Sequence, residues 1–80
     1  MTKQIKIEEL IPYMRKGWVA CDEDGDWHFW TTLPHLKIYH KYWQFDIDYI
    51  TEESEVENLS VIFNIAPAKD WENSLIKVGG

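Results

Sequence analysis

Eighty residues make one domain, 1–80, with room for a modest core, since a chain this short buries only about 60 to 65 % of the surface its unfolded form exposes. A composition that is 45 % hydrophobic and 15 % aromatic, with five tryptophans, is that of a globular chain and excludes a disordered one. Fourteen acidic against eight basic residues leave a net charge of −6, which excludes phosphate-backbone binding of nucleic acid as the main activity, because that affinity comes from clustered Lys and Arg.

Near the start, Ile5 and Ile7 alternate with Lys6, the pattern of a short strand, and "EELIPYMRKG" then predicts a helix over 8–16. Leu10, Ile11 and Met14 fall on one side of it, Arg15 and Lys16 occupy the last turn, and Gly17 is placed for a left-handed C-cap. Pro12 must lie in the first turn, where it removes no helical hydrogen bond.

The next stretch, "GWVACDEDGDWHFW" (17–30), sets acidic and turn-forming residues between tryptophans. As a calcium loop it fails. Asp22, Asp24 and Asp26 match the first three ligand positions of an EF-hand, but Trp27 stands where the glycine is required and Leu33 where the bidentate Glu is required. As a hairpin with the three-residue loop "EDG" it sorts cleanly: Trp18 faces Trp30, Val19 faces Phe29, Ala20 faces His28 and Cys21 faces Trp27. Gly25 then takes the left-handed position of a type I turn with a G1 bulge. One face is Val19, Cys21, Trp27 and Phe29, a core. The other is Trp18, Ala20, His28 and Trp30, an aromatic surface covered by the 8–16 helix or a second subunit, or else open as a ligand site. The size of that surface is the ground for expecting a homo-oligomer.

Further along, "HLKIYHKY" (35–42) reads as a strand or an irregular crossing, and "YWQFDIDYI" (42–50) alternates as a half-buried strand with Trp43, Phe45, Ile47 and Tyr49 inward. "TEESEVEN" (51–58) reads as an acidic loop or short helix. "LSVIFNI" (59–65) has the same period of two, with Val61, Phe63 and Ile65 inward, so the two strands are expected to pair across the acidic loop. In "PAKDWENSLIKVGG" (67–80), Pro67 opens a helix or turn and Leu75, Ile76 and Val78 return to the core. The expected fold is therefore α+β, a short N-terminal helix packed on a small antiparallel sheet of about four to five strands.

No catalytic pattern stands out. Cys21 and His28 as nucleophile and base fall on opposite faces of the hairpin, and His35 and His40 lack tight metal-ligand spacing. The expectation is a non-enzyme with no cofactor and no metal. Cys21 is the single cysteine, no apolar run approaches the ~18 residues of a membrane span, and "MTKQIKIEEL" lacks a signal peptide's apolar stretch. These features predict a cytoplasmic protein with no membrane contact.

The "RKGW" at Arg15–Trp18 and the "APAKDWE" at Ala66–Glu72 resemble the Gly-Trp after the first helix and the Ala-x-Asp-Trp near the C-terminus of small phage-encoded proteins of the Thoeris anti-defence kind. The resemblance implies a non-enzymatic oligomer, active in the host cell cytoplasm, that binds and sequesters a nucleotide-derived immune signal, a cyclic nucleotide or an ADP-ribose derivative. On that reading Trp18 and Trp30 stack the base, Arg15 and Lys16 hold phosphate, His28 bonds ribose or phosphate, and Trp71 is the aromatic at the other end. The alternative is an acidic inhibitor that blocks a host defence or nucleic-acid-binding protein, with Asp22, Glu23, Asp24, Asp26 and the Glu52–Glu57 stretch imitating phosphates.

Overall fold

A computed structural model describes residues 3–45 and 54–79. The chain begins with a one-turn helix, α1 (Ile7–Leu10), that tightens into a 3-10 turn at Ile11–Tyr13. It continues through β1 (Gly17–Cys21), β2 (Trp27–Trp30), β3 (Pro34–Lys37), β4 (Tyr42–Phe45), β5 (Val56–Asn58), a second one-turn helix α2 (Leu59–Ile62), a 3-10 turn at Trp71–Asn73, and β6 (Ile76–Val78). The strands form an antiparallel four-stranded sheet in the order β5-β2-β1-β6 and a separate antiparallel pair, β3-β4. This is the α+β arrangement read from the sequence.

The β1–β2 hairpin has the register that turn chemistry demanded, with Trp18 opposite Trp30, Val19 opposite Phe29, Ala20 opposite His28 and Cys21 opposite Trp27. At its tip the N–H of Gly25 donates to the Asp22 carbonyl at 3.0 Å, and the N–H of Asp22 donates to the Asp26 carbonyl at 3.0 Å. Gly25 has φ 95°, the left-handed geometry the bulge needs. Asp24 locks the turn, its carboxylate accepting from the Asp26 N–H at 2.9 Å.

Beyond the hairpin the neighbours differ from expectation: Ile7, expected in a strand with Ile5, opens α1, and three larger differences follow. First, the 8–16 helix stops early. Pro12 sits at the start of the 3-10 turn, and the chain is extended at Met14, so Arg15, Lys16 and Gly17 lie outside the helix. Gly17 is not a C-cap but the first residue of β1. A Cβ there would lie 2.5 Å from the Phe29 ring and 2.5 Å from the Trp30 carbonyl oxygen, so glycine is required by close approach rather than by its dihedral angles.

Second, residues 59–62 are helical and not a strand, despite their alternating pattern. Asn58 supplies the reason: its side-chain oxygen accepts from the N–H groups of Ser60 at 2.9 Å and Val61 at 3.3 Å, an N-cap that starts a helical turn. Leu59 and Ile65 reach the core, while Val61 and Phe63, expected inward, point to solvent. Third, β4 pairs with β3 and not with 59–65. Trp43 and Phe45 do face inward; Ile47 and Tyr49, and residues 51–53 of the acidic stretch, lie outside the described residues, and 56–58 of that stretch form β5.

The four-stranded sheet is covered on both sides. On one, α1, the 3-10 turn after it, Leu59 and Ile65 pack against Val19, Cys21, Trp27, Phe29 and Val78. On the other, β3-β4 and the 71–75 segment pack against Ala20 and Trp30 through Leu36, Trp43, Phe45, Trp71 and Leu75. Trp30 meets Phe45 edge to face, with ring centroids 4.8 Å apart. The Trp18/Trp30 face is thus covered, fully at Trp30 and in part at Trp18, by this chain's own second layer and not by the 8–16 helix. The ground on which an oligomer was expected falls away with it.

Candidate functional site

Two serines define the hairpin end from which the site is built. Cys21 and Trp27 form the last cross-strand pair before the tip, and in this register their backbone N–H groups point away from each other, toward the flanking strands. Neither β6 nor β5 extends far enough to meet them. Instead the Cys21 N–H donates to Ser74 Oγ at 2.8 Å and the Trp27 N–H donates to Ser60 Oγ at 2.9 Å. Ser74 is itself buried and donates its proton to the Trp71 carbonyl at 2.6 Å. Sequence reasoning overlooked both residues, because a lone serine between apolar neighbours carries no signal until the register is known.

The sequence-predicted residues do not converge on one place. Arg15 lies over the Phe29 ring, 5.0 Å from its centroid, on the face that packs against α1. Its guanidinium donates to Glu55 at 3.2 Å and approaches Glu57 at 3.7 Å, so its charge is already matched by β5 and the residue before it. Lys16 is exposed beside it. Trp18, Trp30 and His28 share the opposite face, where Trp30 is 5 % exposed and closed off by Phe45. Among the described residues an open two-tryptophan platform for a base is therefore not formed, and Arg15 lies on the opposite face of the sheet from the tryptophan pair. Trp71 borders the same second core from the 71–73 turn, its carbonyl accepting from Trp43 Nε1 at 3.1 Å as well as from Ser74.

His28 lies beside an acidic side chain. Its Nδ1 lies 3.5 Å from Asp22 Oδ2, and both side chains are mostly buried. The other Asp22 oxygen accepts from the Trp43 N–H at 2.8 Å, which ties the hairpin tip to β4. Burial raises the Asp22 carboxyl above its ordinary value, against the opposing pull of the Trp43 N–H and His28. Burial also pushes the Cys21 thiol up, and its location in the core on the face away from His28 leaves a nucleophile–base pairing without geometry. The three aspartates of the acidic loop disperse: Asp22 turns to β4, Asp24 closes its own turn, and Asp26 accepts from Asn58 Nδ2 at 3.3 Å.

A groove of small-ligand size lies elsewhere. Ile5 and Ile65 form a single parallel bridge, with the Ile5 N–H on the Asn64 carbonyl at 2.9 Å and the Ala66 N–H on the Ile5 carbonyl at 2.8 Å. Beyond it one segment turns into α1, the other runs through Pro67 toward the 71–73 turn, and a groove of about 470 Å³ opens between them. Ile7, Trp27 and Ile76 supply apolar lining, and Lys6 and Lys69 come one from each of the two diverging segments. Glu8 and Asp70 also border it, with Asn73 donating to Asp70 at 2.7 Å. Trp27 is fixed there by its indole N–H, which donates to the Ala66 carbonyl at 2.9 Å. The volume falls within the range of small-ligand sites, roughly 300 to 1,000 Å³. Sequence reasoning missed this groove, since its walls come from residues about sixty positions apart and are brought together by one bridge.

No protein-family model matches the chain, and neither the curated proteins nor the solved structures searched contain a match to it.

Proposed function

We propose that the protein works by binding and not by chemistry, and that it holds a small nucleotide-derived molecule in the groove between α1 and the C-terminal segment. The observation that carries this reading is the groove itself, with a lysine from each of its two walls over an apolar lining. Two ammonium groups suit a phosphate, and the carboxylates of Glu8 and Asp70 offset their charge. That near-neutral balance disfavours a bare polyphosphate and favours a ligand that brings hydroxyl and amino donors along with its phosphate, as a nucleotide does. The resemblance to phage anti-defence proteins supplies the biological setting, sequestration of an immune signal. Relative to the residue set it implies, the proposal moves the ligand from the covered Trp18/Trp30 face to the groove.

Trp27 lines the groove and reports on it directly. Intrinsic fluorescence and melting temperature measured against a panel of cyclic nucleotides and cyclic ADP-ribose isomers should shift together for one compound. Lys6→Glu combined with Lys69→Glu should abolish both shifts, and Trp18→Ala should leave them. A panel without any response overturns the small-molecule reading. Loss of response in Trp18→Ala, with the lysine variant still binding, puts the ligand on the other side of the sheet.

A further inference from the structure

The second helical turn breaks an ordinary rule of small domains. Leu59 is its buried anchor, but Val61 is 80 % exposed, Ile62 65 % and Phe63 41 %, three consecutive large apolar side chains facing water. Turn chemistry explains why the backbone is helical there, through the Asn58 cap. It does not explain why the exposed positions are aliphatic and aromatic when polar residues would serve the fold equally.

The surroundings specify what would cover this ridge. Phe63 and Ser60 line one hollow with Asp24 and Asp26 of the hairpin tip. Asp24 also lines a second hollow, with Glu23, His40 and Lys41 of the β3-β4 turn. That turn is docked on the tip by the Glu23 N–H, which donates to the Lys41 carbonyl at 3.2 Å, and it exposes Ile38 and Tyr39, the latter 95 % exposed. The hairpin end of the molecule therefore carries an apolar ridge from the layer on one side of the sheet, a central acidic tip whose Glu23 is paired with Lys41, and a second apolar projection from the layer on the other side. A second copy of the chain fits it poorly: a two-fold pairing that set ridge against projection would bring acidic tip onto acidic tip, between chains that each carry −6.

We infer that this surface docks a basic protein segment, one with Lys or Arg at its centre and apolar side chains on either flank. The apolar anchors supply the affinity and the acidic tip sets orientation and speeds encounter. The site adjoins the groove, Pro67 lining both the groove and the hollow under Phe63, but the proposal does not depend on what the groove holds.

The test uses the full chain and two synthetic peptides of equal length, an amphipathic Leu/Lys peptide and a Leu/Glu peptide of the same pattern, with binding followed by calorimetry and by amide chemical shifts. The Leu/Lys peptide should bind, with shifts confined to residues 22–26, 38–42 and 59–63. Val61→Ser with Ile62→Ser, both at exposed positions that leave Leu59 and the Asn58 cap in place, should weaken it by about tenfold or more. Asp24→Asn with Asp26→Asn keeps both side-chain oxygens as acceptors and should flatten the salt dependence of binding. Equal affinity in the Val61/Ile62 variant overturns the proposal, as does equal binding of the Leu/Glu peptide. A dimer in sedimentation equilibrium that the same variant dissociates also overturns it and gives the ridge to a second copy.

Discussion

Lys41 has φ 63°, a left-handed conformation that costs a residue with a Cβ roughly 1 to 2 kcal/mol. The strain has a visible counterpart: it closes the β3-β4 turn, with the N–H of Lys41 on the Lys37 carbonyl at 2.9 Å, and it aims the Lys41 carbonyl at the Glu23 N–H. Among the described residues the lysine side chain contributes an exposed ion pair with Glu23 at 3.6 Å, of small worth. Lys41→Gly should therefore stabilise the protein by about 0.5 to 1 kcal/mol, read as a higher urea midpoint, and Lys41→Val should lower it. Gly17 presents the opposite case, where the dihedral angles are ordinary and space is the limit. Gly17→Ala should lower the midpoint by an amount equivalent to about 2 kcal/mol or more, since the Phe29 ring and the Trp30 carbonyl cannot both move away.

Asp22 makes a prediction of unusual sign at the same scale. Its carboxyl is raised by burial, so the folded chain holds that proton more readily than the unfolded chain does. The stabilising contribution of such a group is fully present below the unfolded-state value, about 3.9, and is lost as pH rises through the higher folded-state value. Melting temperatures of the native chain and Asp22→Asn, measured in parallel from neutral pH down to the acid range, should diverge in favour of the native chain as pH falls. Divergence the other way would show that His28 and the Trp43 N–H outweigh burial at this carboxylate.

Among the elements, the β1–β2 hairpin was legible in full and its neighbours were not. Turn residues fix a hairpin locally: Asp-Gly at the tip and the alternation on either side leave one register in which both faces sort, and Gly25 and Cys21–Trp27 fall where that register puts them. The 59–65 segment has the same alternation, yet one capping side chain, Asn58, outweighs it and turns the backbone helical. Pairing of β4 with β3 was illegible for a different reason, since "HLKIYHKY" contains no Gly, Pro or Asn to announce a turn, and the turn is made by a strained lysine. The groove was illegible because no single element forms it: α1, β2, the 71–73 turn and β6 each supply part of its lining. At this scale the two serines carry a testable load. Ser74→Ala leaves the Cys21 N–H buried without a partner and should cost about 1 to 3 kcal/mol; Ser60→Ala does the same to the Trp27 N–H in a less buried place and should cost less. Chemical denaturation of the two variants checks both the size and the order.

For the whole molecule, the arrangement is one sheet between two separate apolar layers, and the question is whether the layers unfold together. A chain of 80 residues has a stability of roughly 0.05 to 0.15 kcal/mol per residue, or about 4 to 12 kcal/mol, which one small core supplies with difficulty. The second layer is joined to the sheet by more than packing. Trp43 shares the second core with Trp30 and Trp71, donates its indole N–H to the Trp71 carbonyl, and donates its backbone N–H to Asp22 at the hairpin tip. Because Ser74 bonds both Trp71 and Cys21, the same chain of hydrogen bonds continues into the first layer. Loss of the second layer would thus withdraw partners from the sheet that the first layer needs. Trp43→Ala, which empties the middle of that layer, should cost about 3 to 5 kcal/mol, a large part of the total. It should do so in a single transition, with tryptophan fluorescence and far-ultraviolet circular dichroism sharing one midpoint in urea. A fluorescence change that precedes the loss of secondary structure would instead mark β3-β4 as a unit that opens alone, and the covered Trp18/Trp30 face would then be available to a ligand in that opened state.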